Sequence, residues 1–180
     1  GVVDDIQEKL RFKEKNVFRK SFERKNLVYT VKDTENKTGT LLHILDKVKG
    51  SSIIYVRSRQ KTKEIALDLQ KQGLSADYFH AGLSNEEKTI KQQAWKNDEC
   101  RIIVSTNAFG MGIDKPDVRL VVHMDLPNSI EEYFQEAGRA GRDEQKSYAV
   151  ILYNKSDSTK LKKRISDEFP ERDFIIKVYE

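Results

Sequence analysis

Ser52-Ile53-Ile54-Tyr55-Val56 opens the most informative segment of the sequence, which continues through residues 60–72 to Ala76-Asp77-Tyr78-Phe79. The first and last of these runs are short and largely apolar, as buried strands are. Between them, apolar residues recur at helical spacing, and Gly73 follows as a C-terminal cap. The segment therefore predicts a strand, a helix and a second strand joined by short links.

The same alternation extends in both directions along the chain. Further strands are predicted at residues 27–31, 101–105, 118–123 and 147–153, and further helices at 2–11, 40–48, 84–95, from 128 onward and 156–166. The helix at residue 84 opens on a capping box, with Ser84 as the cap and Glu87 three residues on. This pattern predicts an α/β fold, a parallel sheet with helices on both faces.

Composition limits the classes of protein to which the chain can belong. Its 180 residues include 33 Lys and Arg against 29 Asp and Glu, a net charge of +4, which permits contact with nucleic acid without demonstrating it. No apolar run approaches the ~20 residues of a membrane span, and no signal peptide opens the sequence. We expect a cytoplasmic protein, nucleoid-associated if bacterial, with no membrane partner. The single cysteine, Cys100, is expected to be a buried apolar residue rather than part of a disulfide or zinc site.

Two arginines stand three residues apart, each directly after a glycine, in Gln135-Glu136-Ala137-Gly138-Arg139-Ala140-Gly141-Arg142-Asp143. In a helix or helix-like turn, residues i and i+3 share one face, so both guanidiniums could point at one object. The glycines and alanines would keep that face bare for the close approach of another surface. Arginine binds phosphate bidentately and neutralises charge in phosphoryl transfer. A surface helix end with two solvated arginines explains the spacing equally well.

Residues 135–143 resemble motif VI of superfamily-two helicases, and specifically of the RecQ family of DNA helicases. Three upstream segments are similar to that family's motifs IV, IVa and V, in the family's order: Ile53-Ile54-Tyr55-Val56-Arg57-Ser58-Arg59, Tyr78-Phe79-His80-Ala81-Gly82-Leu83, and Ser105-Thr106-Asn107-Ala108-Phe109-Gly110-Met111-Gly112-Ile113-Asp114-Lys115-Pro116. The resemblance covers roughly residues 26–153. It implies the second RecA-like lobe, the helicase C-terminal domain, of an ATP-dependent 3′–5′ DNA helicase acting in recombination or repair.

The loops that follow three of the predicted strands carry hydroxyls, backbone N–H groups or an arginine. Because the carboxyl ends of parallel strands meet at one edge of a sheet, these loops should share that edge. Such groups hold phosphates without reading bases. The resemblance implies that they contact the backbone of single-stranded DNA, and the residues carried over are Ser58, Arg59, His80, Gly82, Ser105 and Thr106. Ser58 and Thr106 could instead act only as helix caps.

The resemblance also implies a nucleotide side, with Arg139 and Arg142 as catalytic residues and with Gln135, Gly112 and Asp114 lining the nucleotide. Asp114 could hold one of the arginines in position until ATP arrives. The sequence contains no Walker A loop and no Asp-Glu-x-His run. ATP and Mg²⁺ would therefore be held mainly by a first RecA-like lobe of the same protein, and this chain alone should be inactive. No metal site is expected within the chain, because none of its three histidines has a second ligand at metal-binding spacing.

We expect three parts along the chain: an arm from a preceding lobe at residues 1–25, the RecA-like lobe at 26–155, and a helical tail toward a following domain at 156–180. The apolar run Phe174-Ile175-Ile176-Lys177-Val178-Tyr179 predicts that the polypeptide continues in a longer protein. Two alternatives stay open from the sequence. One is a lobe of an RNA helicase or chromatin remodeller, and the other is a non-catalytic nucleic-acid-binding module.

Overall fold

A computed structural model describes residues 1–14, 17–18, 21, 23–109 and 114–168 of the chain. Strands and helices alternate through these ranges, which confirms the predicted α/β class. In chain order the elements are α1 (Val2–Lys9), β1 (Leu27–Asp33), α2 (Lys37–Lys47), β2 (Ser51–Tyr55), α3 (Arg59–Lys71), β3 (Ala76–Phe79), α4 (Asn85–Lys96), β4 (Ile102–Ser105), β5 (Val118–His123), α5 (Ile130–Ala137), β6 (Ser147–Tyr153) and α6 (Lys155–Glu168). The predicted apolar end at residues 174–179 and the predicted site residue Gly112 lie outside the described residues.

The strands form one sheet in the order β1-β6-β5-β2-β4-β3. Every described strand pair is parallel, so all strands run in the same direction. The sheet therefore has a carboxyl edge, where the loops after β2, β3 and β4 emerge, and an amino edge, where the strands begin. In parallel α/β sheets, ligands bind beyond the carboxyl ends of the strands.

Two apolar layers cover the sheet, one on each face. Successive side chains of a strand point to opposite faces, so Ile53 and Ile54 of β2 enter different layers. Ile53 packs in the layer that includes Trp95 of α4 and Ala137 of α5. Ile54 packs in the layer of α2 and α3, of which Leu41 is fully buried. The predicted coverage of both faces is confirmed.

Local signals at the helix ends act as the sequence predicts. Ser84 Oγ accepts a hydrogen bond from the Glu87 N–H at 3.2 Å, and a Glu87 carboxylate oxygen accepts one from the Ser84 N–H at 2.8 Å, which completes the capping box. Gly73 follows α3 with φ +77°, the left-handed conformation that glycine adopts without a Cβ penalty. Cys100 is buried, as expected, and burial raises the pKa of its thiol to about 11.

The last described helix, α6, is attached to the carboxyl edge by buried polar contacts. Asp157, which is 3% exposed, pairs with Lys37 Nζ at 2.6 Å and accepts a hydrogen bond from the Asn154 N–H at 2.8 Å. Farther along α6, Arg164 Nη2 donates to the Leu126 carbonyl at 3.0 Å. These contacts make α6 one wall of the carboxyl edge. Within the described ranges, none of the helices has the length and apolar character needed to cross a membrane.

Candidate nucleotide and nucleic-acid sites

The two arginines of residues 135–143 lie in a turn at the amino edge. Helix α5 ends at Ala137, and the Gly138 N–H still bonds the Phe134 carbonyl at 2.9 Å. Two residues after Arg139, the Gly141 N–H donates to the carbonyl of Val118 at 2.8 Å, where β5 begins. The backbone that carries Arg139 and Arg142 therefore lies near the amino edge, where β5 begins. We call residues 138–143 the arginine turn.

The small residues of the arginine turn fit it against its own lobe. A Cβ at Gly138 would lie 2.8 Å from the Phe134 carbonyl oxygen, and Gly141 has φ +62°. Ala137 and Ala140 are fully buried. The expectation that these residues leave a bare face for a neighbouring surface is therefore wrong. They are small because the turn packs tightly on the lobe's own core.

The end of the N-terminal arm clamps the arginine turn. Arg24 Nη2 donates to the Ala140 carbonyl at 3.0 Å and also to the Gly141 carbonyl. Asn26 Nδ2 donates to the carbonyls of Gly141 at 2.7 Å and Gln145 at 2.9 Å. Sequence reasoning missed both side chains, because their partners are more than 100 residues away along the chain.

Arg142 and Asp114, both predicted to lie on the nucleotide side, form an exposed ion pair. Arg142 Nη1 lies 2.8 Å from Asp114 Oδ1, and the side chains are 39% and 80% exposed. The structure thus brings together two predicted site residues that are 28 positions apart. Both remain accessible to an approaching molecule.

Arg139 is half-buried beside Arg142. The two line one small cavity of about 10 Å³, together with Trp95 and Phe109. Arg139 also lies near Tyr55: burial raises the pKa of the Tyr55 hydroxyl, and the Arg139 guanidinium opposes that shift. The third predicted nucleotide residue, Gln135, is exposed on α5.

Lys115 anchors the segment that carries Asp114. It is only 6% exposed, and its Nζ lies 2.8 Å from a carboxylate oxygen of Asp98 and 3.2 Å from one of Asp117. Burial disfavours the charge, but the two carboxylates outweigh it and raise the pKa of Lys115. A single lysine in a loop between two strands gives no sequence signal of burial, so this anchor was not predicted.

A buried pair ties α5 to the end of β5. His123 Nε2 lies 2.7 Å from a carboxylate oxygen of Glu136, and the exposed fractions of the two residues are 1% and 7%. The ring of Tyr55 stacks on His123 with centroids 5.3 Å apart. This contact fixes the helix immediately before the arginine turn. Sequence reasoning did not single out Glu136, because one glutamate on a polar helix is unremarkable.

Three of the predicted DNA-binding residues converge at the carboxyl edge. A Cβ at Gly82 would lie 3.2 Å from Arg59 Nη1 and 3.4 Å from His80 Nδ1, so the three residues are immediate neighbours. His80 stacks on Tyr78, with ring centroids 5.8 Å apart. Burial and the charge of Arg59 lower the pKa of His80, which favours the neutral imidazole near pH 7. The cluster presents one fixed positive charge and a histidine hydrogen-bonding group.

The three predicted hydroxyls have internal partners. Ser58 caps α3 by accepting from the Lys61 N–H at 3.4 Å, and it is exposed. The Thr106 hydroxyl accepts from the Ala108 N–H at 3.4 Å, and Thr106 is 9% exposed. Ser105 is fully buried, with its Oγ 2.9 Å from the Phe79 carbonyl oxygen. The prediction that Ser105 contacts DNA is therefore wrong for its side chain, which joins the ends of β3 and β4 inside the lobe.

A junction centred on Glu132 connects two carboxyl-edge loops to the start of α5. One carboxylate oxygen of Glu132 lies 2.9 Å from Arg57 Nη1 and 3.4 Å from Asn107 Nδ2, and the other accepts from the Asn128 N–H at 2.7 Å. Burial disfavours the carboxylate, but these hydrogen bonds and the Arg57 charge outweigh it and lower the pKa of Glu132. The residues after β2 and β4 are thereby joined to the helix that leads into the arginine turn.

The fold and the placement of these residues define a RecA-like lobe with polar loops at one edge and an arginine turn at the other. The chain belongs to the family of helicase conserved C-terminal domains, whose model matches residues 36–144. That match includes the three clustered carboxyl-edge residues and the arginine turn.

Similar proteins share most of this chain but are much longer. The RecQ-like DNA helicase BLM of Xenopus laevis is 42% identical over 173 residues, which are 93% of this chain and 13% of that protein. The ATP-dependent DNA helicase RecQ of Pasteurella multocida is 42% identical over 171 residues, 93% of this chain and 27% of that protein. These relatives confirm the predicted resemblance to RecQ-type helicases.

Solved helicase structures share the fold. The DEAD-box protein SrmB of E. coli is 27% identical and superimposes with a TM-score of 0.66, covering 85% of this chain and 89% of that one. The likeness confirms the RecA-like architecture of a helicase C-terminal domain.

Proposed function

We propose that this chain is the second motor lobe of an ATP-dependent DNA helicase of 3′–5′ polarity. The observation that carries the proposal is the exposed Arg142–Asp114 pair, 2.8 Å apart, on a lobe of the helicase C-terminal family. An exposed guanidinium can exchange a carboxylate for phosphate oxygens, because it binds both with the same planar fork. That exchange is what an arginine finger must perform when a nucleotide arrives.

ATP and Mg²⁺ would be held mainly by a first RecA-like lobe of the same protein. The cavity beside the arginines is far too small to enclose a nucleotide, which supports a site shared between two lobes. ATP supplies the free energy of the motor when bound there. Arg139 and Arg142 would face its phosphates, Gln135 and Asp114 would line the rest of this side, and the chain alone would not hydrolyse ATP. Replacement of Asp114 by Asn should alter ATP turnover, and unchanged turnover would remove Asp114 from the site.

Single-stranded DNA would cross the carboxyl edge. Arg59, His80 and Gly82 provide a charge, an imidazole and an open backbone at one point, and contacts of this kind bind the sugar-phosphate chain without reading its bases. Ser58 adds an exposed hydroxyl beside them. DNA and nucleotide would therefore contact opposite edges of the same sheet.

We extend the proposal to the arrangement of the whole protein. Residues 1–25 would arrive from the first lobe, residues 26–155 would form the motor lobe, and residues 156–180 would lead to a following domain. The complete protein would act on DNA in recombination or repair, in the cytoplasm or at a bacterial nucleoid.

Strand displacement by the complete protein tests this function. We expect ATP-dependent unwinding of a DNA duplex with a 3′ single-stranded tail, none with a 5′ tail, and no unwinding by the 180-residue chain alone. Activity confined to RNA would favour an RNA helicase lobe. Binding to nucleic acid without any ATP hydrolysis would favour a non-catalytic module.

A further inference from the structure

A cationic cleft opens on the carboxyl edge between the start of α3 and the wall formed by α6. Its volume is about 190 Å³, and its cationic lining side chains are Arg57, Lys61, Lys160 and Arg164. Ser58, the cap of α3, also lines it. The family motifs contribute Arg57 and Ser58 only, and the cations of α6 lie outside every motif found in the sequence.

The carboxylates of the cleft already have partners inside the lobe. Asp157 is 3% exposed and lies 2.6 Å from Lys37 Nζ. Asp125 accepts a hydrogen bond from the Arg57 N–H at 3.0 Å and lies 3.7 Å from Lys61 Nζ. Asp157 also lies 4.0 Å from Lys160 Nζ. The lining still keeps a formal excess of positive charge, four cationic side chains against two carboxylates.

Arg164 has no carboxylate partner among the described residues. Its Nη2 donates to the Leu126 carbonyl at 3.0 Å, while its Nε is buried without a hydrogen-bond partner in the described structure. Burial, and then the nearby Arg57 charge, lower the pKa of the Arg164 guanidinium. The nearby carboxylates of Asp125, Glu132 and Asp157 oppose this lowering without pairing directly with Arg164. A partly buried cation without a directly bonded carboxylate is energetically costly, and an anion in the cleft would offset that cost.

The start of α3 adds to the positive potential of the same cleft. This helix runs from Arg59 to Lys71, and its unpaired N–H groups and dipole favour an anion near its first turn. The cleft is large enough for a phosphate group and opens to solvent on the edge that carries Arg59. Ser58, which lines the cleft, directly precedes Arg59 of the cluster of Arg59, His80 and Gly82.

We propose that this cleft binds a phosphate of a nucleic-acid backbone, so that the strand path continues from Arg59 past Ser58 onto α6. The inference rests on the proposed function, because it extends the same DNA path by one further contact. Arg164 and Lys160 face the phosphate from α6, and Lys61 faces it from α3. A DNA strand is the expected occupant rather than a free ion, because the neighbouring cluster of Arg59, His80 and Gly82 would bind the adjacent part of the same backbone.

The test is single-stranded oligodeoxythymidine binding by the complete protein at several salt concentrations. Arg164→Gln should weaken binding by roughly 5–30-fold and make the slope of log K against log salt shallower by about 1, because one phosphate contact is lost. Lys163→Gln is the matched control, since Lys163 is exposed on the same helix and does not line the cleft. The control should bind within about twofold of wild type.

A second variant separates binding from folding. Arg164 also bonds a backbone carbonyl, whereas Lys160 is 62% exposed, so Lys160→Gln should leave thermal unfolding unchanged and still reduce the salt slope. If both cleft variants kept the wild-type slope of log K against log salt, the cleft would not be a phosphate-binding site. The proposed function would still stand. If inorganic phosphate raised the thermal midpoint of wild type but not of Arg164→Gln, with DNA affinity equal in both, a free-anion site would replace the strand path. If the wild-type protein bound no DNA and its rate of ATP hydrolysis did not change when DNA was added, the proposed function would fail as well.

Discussion

At the scale of single residues, Gly141 combines a left-handed backbone with a lack of space for any side chain. It has φ +62°, and a Cβ would lie 2.6 Å from Asn26 Nδ2 and 2.7 Å from Ser147 Oγ. Gly73 also has positive φ, +77°, but a Cβ there would meet nothing within 4 Å. A comparison of alanine substitutions at Gly141 and Gly73 therefore distinguishes the cost of backbone strain alone from the cost of strain plus steric clash.

We predict that Gly141→Ala destabilises the lobe by roughly 2–4 kcal/mol, the sum of left-handed strain and overpacking. Gly73→Ala should cost only the strain, about 1 kcal/mol. Urea unfolding of the two variants measures the difference. Equal losses would mean that the turn relaxes freely and that Gly141 does not shape it.

The thiol of Cys100 gives a second prediction at this scale. Because burial raises its pKa to about 11, only about one thiol in a thousand is ionised at pH 8. A thiolate-directed reagent should label the native protein slowly at pH 8, faster as pH rises, and completely, to one equivalent, in denaturant. Complete labelling of the folded chain within minutes at pH 8 would contradict the burial of Cys100.

At the scale of elements, α5 is the link between the two edges of the sheet. Its first turn carries Glu132, bonded to the loops after β2 and β4, and its last turn carries Glu136, paired with His123. The arginine turn follows immediately. A displacement of the carboxyl-edge loops would therefore act on α5 through the hydrogen bonds of Arg57 and Asn107 with Glu132.

The Arg57–Glu132 pair should contribute measurably to stability. These side chains are 27% and 19% exposed, so solvent screens them only partly. A double-mutant cycle with alanine at both positions should give a coupling of roughly 1–2 kcal/mol. Lys71 and Asp68 form a surface pair 3.1 Å apart, with side chains 75% and 63% exposed. Their coupling free energy should be less than about 0.5 kcal/mol. A coupling for Arg57–Glu132 no larger than that of the surface pair would show that the junction is not a fixed link.

The elements were largely predictable from the sequence, because each is encoded locally. The strands predicted at residues 76–79 and 147–153 have the observed bounds of β3 and β6, and the capping box marks the start of α4. The shared edge of the carboxyl-edge loops also followed, from the rule that parallel strands point the same way. The order of the strands, the clamp from Arg24 and the burial of Lys115 and Ser105 depend on contacts between distant segments. No local sequence pattern predicts these long-range features.

At the scale of the whole molecule, the lobe separates its two proposed ligands. Arg59 and His80 lie at the carboxyl edge, while Arg142 lies where β5 begins, at the amino edge. In the proposed function, a lobe built this way would present one surface to a DNA strand and another to a nucleotide held mainly by the first lobe. Energetic coupling between the two proposed binding surfaces would have to pass through the sheet and α5. A measured coupling free energy is needed to demonstrate it.

ATP turnover by the complete protein with Arg142→Ala tests the central claim most directly. With saturating single-stranded DNA, we predict a loss of about 10³-fold or more in turnover, because the guanidinium neutralises charge in the transition state. DNA affinity should stay within about twofold of wild type, since Arg142 lies at the opposite edge of the sheet from the proposed strand path. Lys63→Ala, an exposed change on α3, is the control and should retain full turnover. Full ATP turnover in Arg142→Ala would contradict the account.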